Sequence, residues 1–552
     1  MATPTISKDR MAELLAKVRA AKLSASPSAP TPISQAISGI GKHGEAITYN
    51  KEQTDFITLA TLLKSCILIG AAGTGKTTCM MGAITSLIQS GSIPIMQDTG
   101  GHKYLNSGTS GIVACSYTRR AVSNLRKAMP AGMTDNCITI HKLLEYQPDY
   151  FEIDDPVTGE TKTSMRFVAT RNAFRPLPST IKTIIIDESS MVSVELFREL
   201  ESALPHGVQW IFLGDIQQLP PVFGSAILGY KMLELPTVEL TQVYRQALES
   251  PIIKYATQIK DGIQFSVPEK LVEETSRGKI TFHPWKKKLH SEVALHTFCK
   301  FCTTALDQGG YNTETDCILV PFNKAFGTIE INRHIANHVA KKAGRPVWEV
   351  IAGFNKLYFS VGDKVLYDKE DAVITEIEIN PTYLGKKPQK ESVTLDYWGF
   401  NSTPRTQEQI SLQEEEIDFM LDQMASFTGK DDERVRAASH KVTVQLQDSG
   451  QYVEMTSAAD LNSLLISYAL TIHKSQGSEW DKVFLVLQQS HATMIQRELL
   501  YTAVTRAAKE LYVICEPDSF EKGVASQRIK GNTLAEKAQF FMGKLETNGG
   551  VY

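Results

Sequence analysis

The sequence has no apolar run approaching the roughly 18 to 20 residues that a bilayer-spanning helix needs, so no membrane span is expected in its 552 residues. Its opening, MATPTISKDR, lacks the basic-then-apolar plan of a signal peptide, and a cytosolic protein is the expectation, in host cytoplasm if the source is viral. It has no basic excess either, with a net charge of −3. That excludes a globally basic footprint but not nucleic acid, because a local basic groove is enough to hold a strand. Cysteine is sparse and scattered: of eight, only Cys299 and Cys302 form a CxxC, in the helix-like stretch HTFCKFC. One CxxC without a second pair makes a poor zinc site, so buried, reduced thiols are expected. No internal repeat is visible. What remains, 42% hydrophobic and 22% charged residues, is ordinary for a globular protein, and the length suits two to four domains.

Residues 1–46 read as a separate tail. DRMAELLAKVRAAK places Met11, Leu14, Leu15 and Val18 on one helical face, and LSASPSAPTPIS follows as a linker. From Ile47 the pattern alternates between short apolar runs and helix-compatible stretches. CILI (66–69), GIVAC (111–115), TIIID (183–187) and WIFLG (210–214) form one set. CILV (317–320), ISYALTI (466–472), KVFLVL (482–487) and ELYVIC (510–515) form a second. Such runs suit parallel strands covered on both faces, so two α/β lobes are expected. Two stretches break the rhythm. Residues 148–170 alternate around a Thr-Gly turn, as a β-hairpin would. Residues 346–462 hold strand-like VGDKVLY and HKVTVQLQ around EEEIDFMLDQM, a helix with Ile417, Met420, Leu421 and Met424 on one side. Segment 404–436 carries nine acids against four bases, a net of −5, and should face water or a basic partner.

Gly70-Ala71-Ala72-Gly73-Thr74-Gly75-Lys76-Thr77 satisfies GxxxxGK[ST] between a buried strand and a helix, and Thr78 follows. Glycines let the backbone curl so that its N–H groups and the helix N-terminus face phosphate oxygens. Lys76 supplies positive charge at the β- and γ-phosphates, and the Thr77 hydroxyl is placed for Mg²⁺. In IIIDES (184–189), Asp187 ends a buried strand and can hold Mg²⁺, while Glu188 can polarise an attacking water. ATP and Mg²⁺ are therefore the expected cofactors, and ATP hydrolysis the expected chemistry.

The ordered motifs around this site resemble superfamily 1 DNA helicases, most closely the 5′-to-3′ branch containing the RecD subunit and bacteriophage Dda. Gln53, 17 residues before Gly70, matches the family's adenine-reading glutamine. GDIQQLPPV (214–222), LTQVYRQ (240–246), YALTIHKSQGSEW (468–480) and LLYTAVTRA (499–507) match its third to sixth motifs, so the resemblance spans residues 53–507. It implies two RecA-like parallel-sheet lobes, with a β-hairpin pin inserted in the first and an SH3-like β-barrel in the second. The expected boundaries are 47–245 for the first lobe, with the pin at 146–174. The second lobe takes 246–345 and 463–552, and the barrel 346–462.

The resemblance also implies roles for single residues. Arg245 and Arg506 reach the transferred phosphoryl when the lobes close, and Gln218 links the γ-phosphate to DNA. Tyr244 stacks on adenine, unless it is core, and Glu479 contacts the ribose. Thr118, in SYTRRAVSNL (116–125), is a phosphate contact, although Ser116-Tyr117-Thr118 departs from the family's APT. Thr139 and His141 in TIHKLL (139–144), with Thr471, His473 and Ser475, are further DNA contacts; a structural hydrogen bond is the alternative for each histidine. Tyr150, Phe151 and Phe167 either separate strands at the pin or pack its base. Single-stranded and forked duplex DNA are the implied partners. Replication or recombination proteins would dock through the tail or the acidic segment, and no membrane is involved. No nuclease motif is present. RNA or R-loop substrates, a RecD-like subunit of a recombination nuclease complex, and a P-loop protein-remodelling ATPase remain alternatives.

Overall fold

The computed structural model describes residues 38–40, 46–129, 133–154, 161–242, 249–268, 271–285, 290–324, 326–353, 355–367, 370–383, 437–447 and 450–548. The tail helix, the acidic segment 404–436, Tyr244 and Arg245 lie outside these residues. So do the side chains of Tyr150, Phe151 and Phe167.

The first apolar set forms one six-stranded sheet. Its order is Thr237–Leu240, Cys66–Gly70, Gln209–Gly214, Thr183–Asp187, Ile112–Ser116 and Cys137–Thr139, parallel throughout. Side chains alternate between its two faces, and both faces are covered. Ile67, Ile69, Val113, Ile184 and Phe212 enter one core, and Leu68, Ile112, Ile185, Ile211 and Leu213 the other. That is why these strands read as unbroken apolar runs. The second set forms another six-stranded sheet. Its order is Leu271–Thr275, Gly278–Pro284, Ala507–Cys515, Trp480–Leu487, Asp316–Val320 and Ala469–Thr471, with only the first strand antiparallel. Cys299 and Cys302 are buried in its core, on the helix Ser291–Asp307, and all eight cysteines are free and buried.

ISYALTI does not run as one strand. Leu465–Ile466 pairs with the insertion, Ile466 opposite Val365, while Ala469–Thr471 joins the second lobe beside Asp316–Val320. The buried Tyr468 separates the two, its hydroxyl 3.3 Å from Asp363 Oδ1.

The expected SH3-like barrel is here a five-stranded antiparallel sheet of Tyr452–Ser457, Ala437–Leu446, Glu370–Ile379, Lys364–Tyr367 and Leu465–Ile466. Among the described residues no strand pairing closes it. A hairpin, Trp348–Ala352 with Asn355–Phe359, packs on this sheet through Val350 and Phe359. In the first lobe, Gln147–Asp154 and Thr161–Val168 pair antiparallel, Gln147 opposite Val168 and Asp154 opposite Thr161, so a hairpin does project there.

The last helix, Leu534–Thr547, follows the second lobe in sequence but packs on the first. Phe541 and Leu545 enter the first-lobe core with Ile529, and the Phe541 ring meets Tyr230 edge-on at 5.1 Å. Its partner helix, Ile227–Glu234, carries Gly229, where a Cβ would sit 2.2 Å from the Phe541 ring. Only a residue without a side chain permits that approach.

Candidate nucleotide site between two lobes

The phosphate loop leaves the strand Cys66–Gly70, buried along its length, and enters the helix Lys76–Gln89. Gly73 and Gly75 take φ of 76° and 87°, a left-handed curl that turns successive N–H groups inward. Met80, Ile84 and Leu87 anchor the helix from beneath. Lys76 Nζ lies on the loop's own carbonyls, 2.6 Å from Gly70 O and 3.2 Å from Ala71 O. Thr74 Oγ1 donates to Ala71 O at 2.8 Å. Thr77 is exposed on the first helical turn and Thr78 is half-buried.

Asp187 and Glu188 leave the end of Thr183–Asp187 together. Glu188 takes φ 51° and ψ 41°, a left-handed conformation that strains a residue with a side chain. Its Oε2 is buried with no hydrogen-bond partner. Burial pushes the Asp187 carboxyl up, the Glu188 charge adds to the rise, and Lys76 opposes it. Two crowded carboxylates and the Thr77 hydroxyl form a hard-oxygen donor set that fits Mg²⁺.

Gln53 is fully buried at the third position of the helix Lys51–Thr61. Its side-chain oxygen accepts from Asn50 N–H at 3.0 Å, closing a capping box with Asn50. Glu52 on the same turn accepts from Thr241 N at 2.9 Å.

The second lobe touches the loop directly. Ala72 N–H donates to Tyr501 Oη at 3.1 Å, and the Tyr501 hydroxyl donates to Asp215 Oδ2 at 2.7 Å. Thr502 Oγ1 accepts from Leu219 N at 3.0 Å, and Gln476 Nε2 donates to Leu219 O at 2.8 Å. Gln218 lies between these anchors, buried, with its Oε1 unpartnered. Tyr501, Thr502, Asp215 and Gln476 were not singled out in the sequence. The signal available was that each is a polar residue inside a recognised motif with no role yet assigned.

Arg506 is not at the phosphate loop in this conformation. Its guanidinium is buried and spent on its own lobe, donating to Thr502 O at 3.0 Å, Ser478 O at 3.1 Å and Thr505 Oγ1 at 3.1 Å. Glu479, next to Ser478 in sequence, is exposed.

The expected DNA contacts divide. Thr118, two residues past the strand Ile112–Ser116, and Thr139, at the end of the neighbouring strand, cap helices, accepting from Ala121 N and Lys142 N, both at 3.2 Å. His141 meets Tyr117 at 5.4 Å and Tyr146 at 4.9 Å, both edge-on. Thr471 is buried and accepts from Lys474 N at 3.3 Å. Burial, with Arg528 nearby, lowers His473 to about 4, so its imidazole is neutral at pH 7. Ser475 is fully buried, and its hydroxyl donates to Ile472 O at 2.8 Å. The two lobes and the insertion meet at the helix Arg119–Ala128. There Arg119 pairs with Glu370 at 3.2 Å, Arg120 pairs with Asp371, and Asn124 donates to Gly477 O at 3.1 Å. Among the described residues no helix is long and apolar enough to cross a membrane, and no group of three or more His, Cys, Asp or Glu is placed to hold a metal.

Two family models match the chain, an AAA domain over residues 53–224 and a UvrD-like helicase C-terminal domain over 467–514. The ATP-dependent RecD2 DNA helicase of Deinococcus radiodurans is 26% identical over 488 residues, 88% of this chain and 51% of that one. The RecBCD enzyme subunit RecD of Buchnera aphidicola is 23% identical, over 86% of this chain and 75% of that one. This chain thus spans about half the length of the first relative and three quarters of the second. The crystal structure of the Pif1 helicase from Candida albicans aligns over 90% of this chain and 100% of that one. Its identity is 17% and its TM-score 0.42, too loose a likeness to decide anything. Matched motifs, two domain models and relatives that align over most of this chain agree in one likeness: the chain is similar to RecD-like superfamily 1 helicases.

Proposed function

We propose that the chain is an ATP-driven DNA helicase that moves 5′ to 3′ along single-stranded DNA and separates a forked duplex. The observation that carries this reading is the contact of Tyr501 with Ala72: the phosphate loop belongs to one lobe and is touched by a motif of the other. Nucleotide bound there bears on both lobes at once, and both present segments assigned to the DNA strand. Lys76 leaves the Gly70 and Ala71 carbonyls for the β- and γ-phosphates. Thr77 and Asp187 would hold Mg²⁺, which neutralises phosphate charge when bound. Glu188, with its unpartnered oxygen, takes a proton from the attacking water. Gln53 and Tyr244 hold the adenine, and Glu479 the ribose. Arg245 and Arg506 come to the phosphoryl group as the lobes close; for Arg506 that means leaving three bonds within its own lobe.

On the DNA side, Thr118 and Thr139 offer the N-termini of two adjacent helices to phosphates. His141, Thr471 and His473 line the rest of the track, and the hairpin Gln147–Asp154 with Thr161–Val168 divides the strands. The polarity and a phage replication or recombination setting come only from the family branch that the motifs resemble. The RecD likeness supports a second reading, a motor subunit in a nuclease complex whose cutting is done by partners. Steady-state ATP hydrolysis with and without single-stranded DNA tests the main reading: at least about ten-fold stimulation is expected. Hydrolysis indifferent to DNA would instead support a protein-remodelling ATPase.

A further inference from the structure

We propose that Tyr501 is the positioning residue through which the second lobe registers whether the phosphate loop is filled, a reading that rests on a nucleoside triphosphate being that loop's ligand. The Tyr501 hydroxyl is buried and makes one bond in each direction, accepting from Ala72 N–H and donating to Asp215 Oδ2. The other Asp215 oxygen accepts from Gln217 N at 3.0 Å, so this carboxylate shapes the turn that carries Gln218. At the far end of that turn, Thr502 and Gln476 hold Leu219 by its N–H and carbonyl. Three second-lobe side chains therefore grip a first-lobe turn, and one of them also occupies a phosphate-loop donor.

A phosphate oxygen entering the loop competes with Tyr501 Oη for the Ala72 N–H. When it wins, the hydroxyl loses the donor that polarises it, and its bond to Asp215 weakens. The phosphate also brings negative charge toward the buried Asp215. Filling the loop thus loosens one end of the grip on the Gln218 turn and leaves the Leu219 end in place. Until then the latched loop acts as a tax on nucleotide binding, since only the unlatched fraction is competent.

The test is Y501F in the full chain, which keeps the ring and deletes both bonds. Titration with a fluorescent ADP analogue in the absence of DNA should show binding tighter by about three-fold or more. A Tyr501 that only packs the interface would leave affinity unchanged or weaken it, and either result overturns the proposal. Should Y501F fail to fold, hydrogen exchange on the wild-type chain decides. Saturating nucleotide without DNA should raise exchange in residues 215–219 and 497–505, and unaltered exchange there overturns the proposal. Neither arm needs unwinding activity, so a chain that fails to respond to DNA would refute the helicase reading without touching this one.

Discussion

Glu145 and Arg171 form a fully buried ion pair, 2.6 Å from Oε2 to Nε, at the root of the first-lobe hairpin. Arg171 also donates to the carbonyls of Gly100 and Pro176, and the other Glu145 oxygen accepts from Lys103 N at 2.7 Å. Glu145 sits at φ 48° just before the first strand of the hairpin, so the pair fixes the angle at which that hairpin leaves the lobe. Arg171→Met leaves the buried carboxylate only the half-exposed Arg175, 3.2 Å from Oε2, and the Lys103 N–H, and should destabilise the first lobe by up to about 3 kcal/mol, read by urea unfolding. Burial alone would raise the Glu145 carboxyl, but Arg171 and the Lys103 N–H outweigh it and hold it below its ordinary value. A depressed carboxylate stabilises above its unfolded pKa and loses that contribution as pH falls through its folded one. The pair's contribution should therefore fade below about pH 4.3, the usual glutamate value.

His491 gives a second pH dependence of the opposite chemical kind. Its Nδ1 accepts from Gln488 N at 3.1 Å and its Nε2–H donates to Phe326 O at 2.7 Å, which fixes a neutral ring. Burial lowers its pKa to about 4, against an ordinary 6.5. Between those values the unfolded chain binds a proton that the folded chain does not, so stability is complete above pH 6.5 and declines toward pH 4. Urea unfolding at pH 7 and pH 5 should show this decline, and it should be smaller in H491N.

Glu188 combines strain with an unpartnered oxygen, which is expected of a group held for chemistry rather than for folding. E188Q should lower ATP turnover by about a hundred-fold or more while leaving nucleotide binding within a few-fold. E188N should lose turnover equally yet gain up to about 1 kcal/mol of stability, because asparagine tolerates the left-handed conformation. A stabilised variant that kept its turnover would show the strain to be incidental.

Phe541 is the main anchor of the last helix on the first lobe. F541A should cost about 3 to 5 kcal/mol in thermal or denaturant unfolding, since the groove above Gly229 cannot collapse around an alanine.

How much of this was legible in the sequence depended on distance along the chain. The phosphate loop, the strand-end pair Asp187 and Glu188, and the two sheets were readable because each is written within a few residues of local pattern. Tyr501 meets Ala72 across 429 residues and Asp215 across 286, and no spacing rule reaches that far. The packing partner of the last helix was hidden for a related reason: an amphipathic face says that a helix packs, not on what. The bond of Ser475 to Ile472 O was hidden because a hydroxyl in a motif reads the same whether it faces a ligand or bonds its own turn. The break in ISYALTI was hidden because a buried tyrosine between two strands is as apolar as the strands.

Lys76→Ala separates fuel from track. It should abolish ATP hydrolysis while single-stranded DNA binding survives within a few-fold, measured by fluorescence anisotropy. Loss of both in a folded variant would contradict the separation of the loop from the helix ends at Thr118 and Thr139.

The most direct measurement is strand displacement by the purified chain on duplexes carrying a 5′ or a 3′ single-stranded tail, with and without ATP. The account predicts ATP-dependent displacement of the 5′-tailed duplex and little of the 3′-tailed one. Preference for the 3′ tail, or no displacement of either while DNA-stimulated hydrolysis is intact, would contradict it.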